Sequence, residues 1–450
     1  MKKNLIFTVL VLCVVPMTFG QIVTNGNQSV QYMRMMSRNA STDIDAVYFN
    51  PAGLTQMKNG FHLALHNQTI IQKKTVENSY PLLNEGTYVG DVNVPIFPNI
   101  YAVYKKDKLA LFFGFGPNAG GGTADFKTGL PSFETTISGL PVLLTGMGLP
   151  TTAYSVDLAF KGSSIFLGAQ AGVSYALSDM ISVSAGARFI TATNTYEGSI
   201  QDIMIDPTHP AINPTGAMIS APQFFTTIGQ PTYAALTSDQ EVDAKQTGTA
   251  IQPILGLFFK PTEKLSIGLR YEFNASLELE NDTTKDVVVD GTSMFPDGAK
   301  FHSDIPAIFS IGLGYELTPN LRFNISGNYF FEKQADLDGA EDDIDKNSYN
   351  FSAGLEYKLT EKFLLSAGIE VNQISVSEDY QSDLSHEISS SQIGFGGQLK
   401  LFQNLDLDFG GIFVMYSDAK KMIDSPLVGA YSEKYTRSTL VFAIGLGYQF

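Results

Sequence analysis

Large apolar side chains alternate with small or polar ones along the last eleven residues of the chain. The apolar positions are Leu440, Phe442, Ile444, Leu446, Tyr448 and Phe450. Because successive side chains of a β-strand point to opposite faces, this pattern predicts a strand with one face of large apolar side chains and one face of small or polar side chains. A strand in a membrane barrel turns its apolar face to lipid and often ends on an aromatic residue near the membrane interface. The pattern therefore favours a transmembrane barrel over a soluble sheet.

The same two-residue period recurs from residue 60 onward, and short and long connections alternate between the segments. The short connections centre on 105–108, 178–180, 261–264, 318–320, 360–362 and 402–404. The long ones are roughly 76–93, 117–162, 199–242, 281–301, 335–346, 377–385 and 419–435. Short periplasmic turns and long outer loops are typical of outer-membrane barrels. Six turns and seven loops predict an all-β fold, a transmembrane antiparallel barrel of 14 strands with both termini in the periplasm.

One segment of the second long loop, 151–162, also alternates and could pass for a fifteenth strand. An additional crossing would move the turn at 178–180 to the outer side and break the alternation of short and long connections. We therefore predict that 151–162 extends a strand above the membrane, and that residues 161–164 form a bend.

The N-terminus has the pattern of a secretory signal peptide. Lys2 and Lys3 precede an apolar run too short to span a bilayer, and small residues follow it. We predict a signal peptide at 1–20, a hatch (a plug inside the lumen) at 21–59, and the barrel at 60–450. A loose periplasmic tail is the alternative for 21–59.

Charge and composition exclude several classes of function. Loss of Lys2 and Lys3 with the signal would change the formal net charge from −16 to −18, which argues against nucleic acid as a partner. The single cysteine, Cys13, lies in the signal, so neither disulfides nor thiol chemistry are expected. The chain has no zinc motif, phosphate-binding glycine loop or nucleophile elbow. We expect no metal, no cofactor and no enzymatic activity.

The segment before the first strand contains Asn50, Pro51, Ala52 and Gly53, followed by Leu54. This Asn-Pro-Ala motif resembles the hatch of the FadL-like long-chain fatty-acid transporter family, which combines such a hatch with a barrel of the predicted size. The resemblance implies passive uptake of hydrophobic compounds, released past the hatch or sideways through the wall. Read physically, Asn50-Pro51 initiates a turn, and Gly53 allows a tight or left-handed exit. A plain corner leading into the first strand remains compatible with a gating role.

The resemblance also implies an environment and partners. We expect a monomer in the outer membrane of a Gram-negative cell, in contact with its lipid and with a hydrophobic small-molecule ligand. The strand that ends at Phe450 resembles the signature that the outer-membrane barrel assembly machinery recognises.

Two long loops carry apolar residues that suit capture of such a ligand. The candidates are Leu140, Val142, Leu143, Leu144, Met147, Phe224 and Phe225. Exposed apolar patches on a water-facing loop need a reason, and packing of the two loops against each other is the alternative to ligand capture.

Within the barrel, Gly114, Gly116 and Pro117 are candidates for a lateral opening, because glycine and proline weaken strand pairing. Ordinary strand-end chemistry is the alternative. Arg188 and Arg270 lie on polar faces and could bind a ligand carboxylate. Lumen glutamates could instead pair with these arginines.

Other functions remain open at this stage. A barrel that binds a protein partner in secretion or assembly would be filled by its hatch and lack an apolar pocket. A barrel enzyme would need a nucleophile near His302 or His386, and a surface adhesin is supported only by acidic loops. The sequence does not separate fatty acids, aromatic hydrocarbons and haem as substrates.

Overall fold

The chain folds into a closed antiparallel barrel of 14 strands, as predicted. The computed structural model describes residues 29–289 and 292–450, and the predicted signal peptide lies outside them. Each strand pairs with its neighbours in the chain, and the first pairs with the last from His62↔Gln449 to Asn78↔Glu433, which closes the barrel. Within the described ranges, helices with the length and apolarity needed to cross a membrane are absent.

The barrel strands are numbered in chain order. They are β1 (Gly60–Asn78), β2 (Thr87–Lys106), β3 (Leu109–Phe126), β4 (Tyr154–Ala176), β5 (Ile181–Ile205), β6 (Gln240–Phe259), β7 (Leu265–Glu272, continued by Glu278–Lys285), β8 (Lys300–His302, continued by Ile308–Thr318), β9 (Leu321–Phe330), β10 (Ile344–Thr360), β11 (Phe363–Val376), β12 (Ser390–Phe402), β13 (Leu405–Tyr416, continued by Ala419–Ser425) and β14 (Gly429–Gln449). Smaller strands at Ile219–Ser220, Val288–Val289 and Thr292–Ser293 lie in the long loops.

The predicted alternation of connections is present. All six short turns lie at one end of the barrel, and the long loops lie at the other. Residues 154–162 of the segment 151–162 belong to β4 and pair with β5, so the segment extends a strand and adds no crossing. The predicted bend at 161–164 is wrong, because β4 continues through these residues with both ladders intact.

The two faces of the strands differ as the period of two requires. On β14, Phe442, Ile444 and Leu446 are exposed on the outside, whereas Val441 and Ala443 are buried on the inside. The outer face thus forms an apolar belt for lipid, and the inner face is lined largely by glycine, serine and polar side chains.

Two long loops contain helices. Residues 127–153 form α3 (Pro131–Ser138) and α4 (Leu140–Gly146), and residues 206–239 form α5 (Ala221–Thr227) and α6 (Pro231–Leu236). Each of these helices has proline in its first turn, where the missing N–H has no intrahelical acceptor to lose.

The described part of the N-terminal segment, 29–59, lies inside the barrel, and we call it the hatch. It contains the short helices α1 (Val30–Arg34) and α2 (Ala46–Phe49) and the 3₁₀ helix Pro51–Gln56. The side chain of Ser29 caps the first helix by accepting a hydrogen bond from the backbone N–H of Tyr32 at 2.9 Å. Strand β1 begins directly after the hatch, at Gly60.

Glycines on the inner wall make room for the hatch. A Cβ at Gly268 would lie 2.0 Å from the carbonyl oxygen of Asn39, and one at Gly312 would lie 2.5 Å from the backbone nitrogen of Ala40. A Cβ at Gly53 of the hatch would lie 2.1 Å from the carbonyl oxygen of Ser41. Hatch and wall therefore touch backbone to backbone.

We predict that Gly268→Val destabilises the protein by about 1–3 kcal/mol, since overpacking forces backbone shifts. Gly447→Val is the matched control, because a Cβ at Gly447 would meet nothing within 4 Å. Thermal unfolding of the purified barrels measures both effects. Equal midpoints for the two variants would contradict the proposed tight fit of the hatch.

Candidate functional site: the hatch and the barrel wall

The Asn-Pro-Ala motif joins the hatch to the wall. The side chain of Asn50 accepts a hydrogen bond from the backbone N–H of Ala52 at 3.3 Å, and donates to the carbonyl oxygen of Leu257 on β6 at 3.1 Å. Ser174 of β4 donates to the carbonyl oxygen of Pro51 at 2.6 Å. Gly53 is absent from the residues of positive φ in the described chain, so the expected left-handed exit is wrong. Because Gly53 has no Cβ, its backbone can instead lie close to the carbonyl oxygen of Ser41.

Buried ion pairs fix the first helix of the hatch. Arg34 donates to the Glu356 carboxylate of β10 at 2.8 Å, and its Nε lies 3.5 Å from the Asp408 carboxylate of β13. Tyr32 donates to the Glu370 carboxylate of β11 at 2.8 Å. Burial and then the negative charge of Glu370 raise the pKa of the Tyr32 hydroxyl well above its usual value, so it remains a donor.

Arg38 forms ion pairs with other residues of the hatch. Its guanidinium binds both carboxylate oxygens of Asp45 at 2.8 Å, and it also binds Asp43 at 2.6 Å. The Asp45 side chain is fully buried and accepts further hydrogen bonds from Ser29 and Ser41. Separating such a pair leaves an uncompensated charge away from water.

The two candidate arginines lie side by side around one carboxylate. Arg188 and Arg270 approach Glu272 at 2.8 Å and 3.1 Å. Both guanidinium groups lie over the ring of the hatch residue Tyr48, at 4.6 Å and 5.6 Å from its centroid. Burial raises the pKa of the Tyr48 hydroxyl, against the opposing effect of Arg188. The phenol is therefore neutral and acts as an aromatic partner of two cations.

All five N–H groups of Arg188 are used inside the protein. They are donated to Gln170, Gln252 and Glu272. Arg270 also donates to the carbonyl oxygen of Tyr48 and to Ser310. Binding of a ligand carboxylate by either arginine stays a prediction, and it would require displacement of these partners. In the structure, both arginines pair with the lumen glutamate Glu272.

The apolar candidates of the long loops pack largely against each other. Leu140 and Leu144 of α4 and Phe224 and Phe225 of α5 are buried in one cluster. Val142 is exposed, and Leu143 and Met147 are half-buried. Mutual packing thus orders the two loops, and only the last three residues offer surface to a ligand in this conformation. A groove of about 520 Å³ lies between α5 and α6, lined by Pro222, Gln223, Thr226, Thr227, Ala234, Ala235 and Ser238.

The barrel wall is interrupted between β2 and β3. Their ladder runs from Gly90↔Phe126 to Val92↔Ala124 and resumes only at Ile100↔Phe115. Within the described residues, no strand pairing joins 93–99 to 116–123, and we call this interruption the wall gap. Ile96, which is 73% exposed on β2, lies beside it and belongs to the apolar belt.

The sequence explains the wall gap. Pro95 and Pro98 on β2 and Pro117 on β3 have no N–H to donate across it. Thr69 of β1 donates to the carbonyl oxygen of Pro95 at 3.0 Å, and Nδ2 of Asn67 on β1 donates to the same oxygen at 3.2 Å. Oδ1 of Asn67 accepts a hydrogen bond from the backbone N–H of Phe97 at 3.0 Å. These side chains bridge the bulge in the β1–β2 ladder beside the gap, where the register shifts between Gln68 and Ile70.

Two bulges turn β3 inward at the gap. Its pairing with β4 passes from Pro117↔Leu167 to Ala119↔Phe166, and from Gly120↔Ile165 to Gly122↔Ser164. Asn118 is the extra residue of the first bulge, and Gly120 and Gly122 supply positive φ for the second. Residues 116–119 are therefore all buried, which breaks the in-out alternation. Of the three lateral candidates, Gly116 and Pro117 lie in the gap and Gly114 lies just below it.

Apolar contacts connect the long loops to this gap. One cluster under the loops includes Phe126, Phe133 and Phe160, and a second includes Phe97 and the hatch residue Phe49. Val94, inside the wall gap, packs against both clusters. The lumen above the hatch therefore has an apolar lining that reaches the gap.

Sequence reasoning did not find several residues of this site. Glu272 was recognised only as a possible partner of an arginine, and Asn99 and Asn118 were not singled out. The Pro-Asn-Ala-Gly-Gly-Gly run at 117–122 was the available signal, because such a run cannot continue a regular ladder.

We predict that Arg38→Met destabilises the hatch by about 3–5 kcal/mol, because it leaves the buried Asp45 carboxylate without its cation. Trypsin cleavage after Arg34, which is buried in the intact protein, measures release of the hatch. Lys285→Met is the control, because it breaks an exposed pair with Glu241. Unchanged protection of Arg34 in Arg38→Met would contradict the role given to this pair.

Comparison with known proteins agrees with the geometry. The chain matches the family described as Outer membrane protein transport protein (OMPP1/FadL/TodX) over residues 28–450. None of the curated proteins matches it.

Several solved structures share its fold. A FadL homologue of Pseudomonas aeruginosa has a TM-score of 0.63 at 13% identity, over 96% of this chain and 100% of that one. The toluene transporter TodX of Pseudomonas putida gives 0.57 at 14%, over 91% and 95%. The toluene transporter TbuX of Ralstonia pickettii gives 0.58 at 14%, over 94% and 98%. Identities this low show the fold alone, whereas the family match covers nearly the whole chain, so this protein belongs to the FadL/TodX family of outer-membrane transport proteins.

Proposed function

We propose that this barrel lets hydrophobic small molecules cross the outer membrane passively, and that they leave sideways through the wall gap. The observation that carries the proposal is the interrupted ladder between β2 and β3, at the level of the apolar belt and in contact with the apolar lining of the lumen. A hydrophobic solute released there enters lipid directly and avoids water. The transport of toluene by the similar TodX and TbuX barrels supports the same solute class.

Capture begins at the long loops, which we place outside the cell. The groove between α5 and α6 and the surface of Val142, Leu143 and Met147 are the sites that a solute meets first. Phe224 and Phe225 support the groove from below and do not contact the solute.

The direct route downward is blocked by the hatch. A solute that left through the end with short turns would have to displace the hatch and break the buried pair between Arg34 and Glu356 of the wall, which costs about 3–5 kcal/mol. The wall gap needs no such step. This contrast favours lateral release over release past the hatch.

Three further assignments belong to the proposal. We propose that both termini lie on the periplasmic side, that the protein acts as a monomer, and that the barrel assembly machinery recognises β14. The terminal Phe450 is 67% exposed and packs beside Phe61 at the seam with β1, where such a signal is accessible.

A disulfide across the wall gap tests the proposal. A Cβ at Gly122 would lie 3.7 Å from the Cβ of Val94, within the range that a disulfide spans. We expect that oxidation of Val94→Cys/Gly122→Cys abolishes most uptake of a labelled hydrophobe by cells, and that a reductant restores it. The reduced form of the same variant is its reference.

The matched control places a disulfide one step above the gap, at the paired residues Val92 and Ala124. Val92→Cys/Ala124→Cys leaves the gap as it is, so oxidation should leave uptake unchanged. Full uptake through the oxidised Val94–Gly122 variant would rule out lateral release. Absence of uptake in all forms, with a protein partner recovered in equal amount, would instead support the assembly role.

A further inference from the structure

A small cavity with both apolar and polar lining residues lies at the inner edge of the wall gap. Its volume is about 20 Å³, which is room for one water or one hydroxyl group. The hatch contributes Val47 and Tyr48, and the wall contributes Asn99, Asn118, Gln170 and Arg188, among others. A molecule that passes from the lumen to the gap moves beside this cavity.

Two amides in the cavity have hydrogen-bonding atoms without partners. Among the described residues, nothing bonds to Nδ2 of Asn99 or to Oδ1 of Asn118. The two residues are only 1% and 4% exposed. Buried polar groups in proteins are rarely left unpaired, because each costs free energy unless something bonds to it.

The backbone is built to hold these amides in place. A Cβ at Gly116 would lie 2.2 Å from Oδ1 of Asn99, so only glycine leaves room for this amide. Asn118 faces inward because it is the extra residue of the bulge between Pro117 and Ala119. Bulges commonly redirect a side chain in this way.

The positive charge of Arg188 beside the cavity has no free N–H group to offer a ligand. Arg188 lines the cavity, but its five N–H groups are already donated to Gln170, Gln252 and Glu272. At the cavity, the two N–H groups on Nδ2 of Asn99 are therefore free donors, and Oδ1 of Asn118 is a free acceptor.

We propose that Asn99 and Asn118 form a binding subsite for a hydroxyl group, and that this barrel prefers hydroxyl-bearing amphiphiles over hydrocarbons. A hydroxyl accepts from Asn99 through its lone pair and donates its proton to Asn118, so it satisfies both atoms. A carboxylate only accepts, and it would face the oxygen of Asn118. A hydrocarbon satisfies neither atom. The inference rests on the proposed function, since the solute must reach the wall gap to meet the subsite.

The test compares three probes of equal chain length. The full-length protein in lipid nanodiscs is incubated at pH 8 with an equimolar mixture of 1-dodecanol, dodecane and dodecanoate. The retained probes are quantified by mass spectrometry and corrected for empty nanodiscs. We expect roughly 10-fold enrichment of dodecanol over dodecane, the factor that one satisfied hydrogen-bonding pair typically confers.

Asn99→Leu and Asn118→Leu remove the polar atoms of the subsite and keep the number and branching of the side-chain heavy atoms. Each should reduce the enrichment of dodecanol to near one and leave the retention of dodecane intact, which also shows that the barrel is folded. Asn194→Leu is the matched control, because Asn194 is another buried asparagine of the lumen and does not line this cavity. It should keep the preference.

The outcomes separate the two proposals. Retention of all three probes without preference, unchanged in the variants, would overturn the subsite and leave a cavity that binds water only. Preference for dodecanoate over dodecanol would overturn it as well. Retention of none of the probes above empty nanodiscs would overturn the proposed function itself.

Discussion

The structure depends on one constraint, which is that every backbone N–H and C=O facing lipid needs a partner within the protein. A closed barrel meets this requirement by pairing each strand with two neighbours. The wall gap between β2 and β3 is one place where pairing stops, and the β6–β7 ladder also stops, between Ile254↔Glu272 and Thr247↔Glu280. At the wall gap, three prolines remove donors from the facing strand edges. On the other side of β2, Asn67 and Thr69 of β1 bind the carbonyl oxygen of Pro95. The interruption is therefore encoded in the sequences of β2 and β3.

The hatch obeys a related rule in the lumen. The charges of Arg34, Arg38 and Asp45 are buried, so each must remain paired, and the pairs reach β10 and β13 as well as other parts of the hatch. Glycines on the wall bring the two backbones into contact. A segment held in this way has few intermediate positions, because a partial displacement breaks ion pairs without exposing them to water.

The fold could be predicted from the sequence because lipid and water act on alternate residues. The clean period of β14 and the alternation of short and long connections gave the strand number and the closure of the barrel. Local irregularity was harder to place. The run of glycines after Pro117 indicated a disturbed strand, but only the pairing with β4 shows that the disturbance turns Asn118 inward.

Contacts between distant segments were beyond sequence reasoning. The apolar residues of α4 and α5 were compatible with binding of a ligand or with packing of the two loops against each other. Their sequence pattern does not distinguish the two, and the structure shows packing. Likewise, Arg188 and Arg270 lie on predicted polar faces, but their common partner Glu272 depends on which strands become neighbours. Such pairings follow from the register of the whole barrel.

The filled lumen also matters for the membrane around it. Within the described residues, the hatch occupies the barrel and its polar groups are bonded to the wall. If solutes leave sideways as proposed, transport of a hydrophobic molecule requires no open aqueous pore through the centre of the barrel. A cell could then take up such molecules and still keep ions and sugars outside its outer membrane.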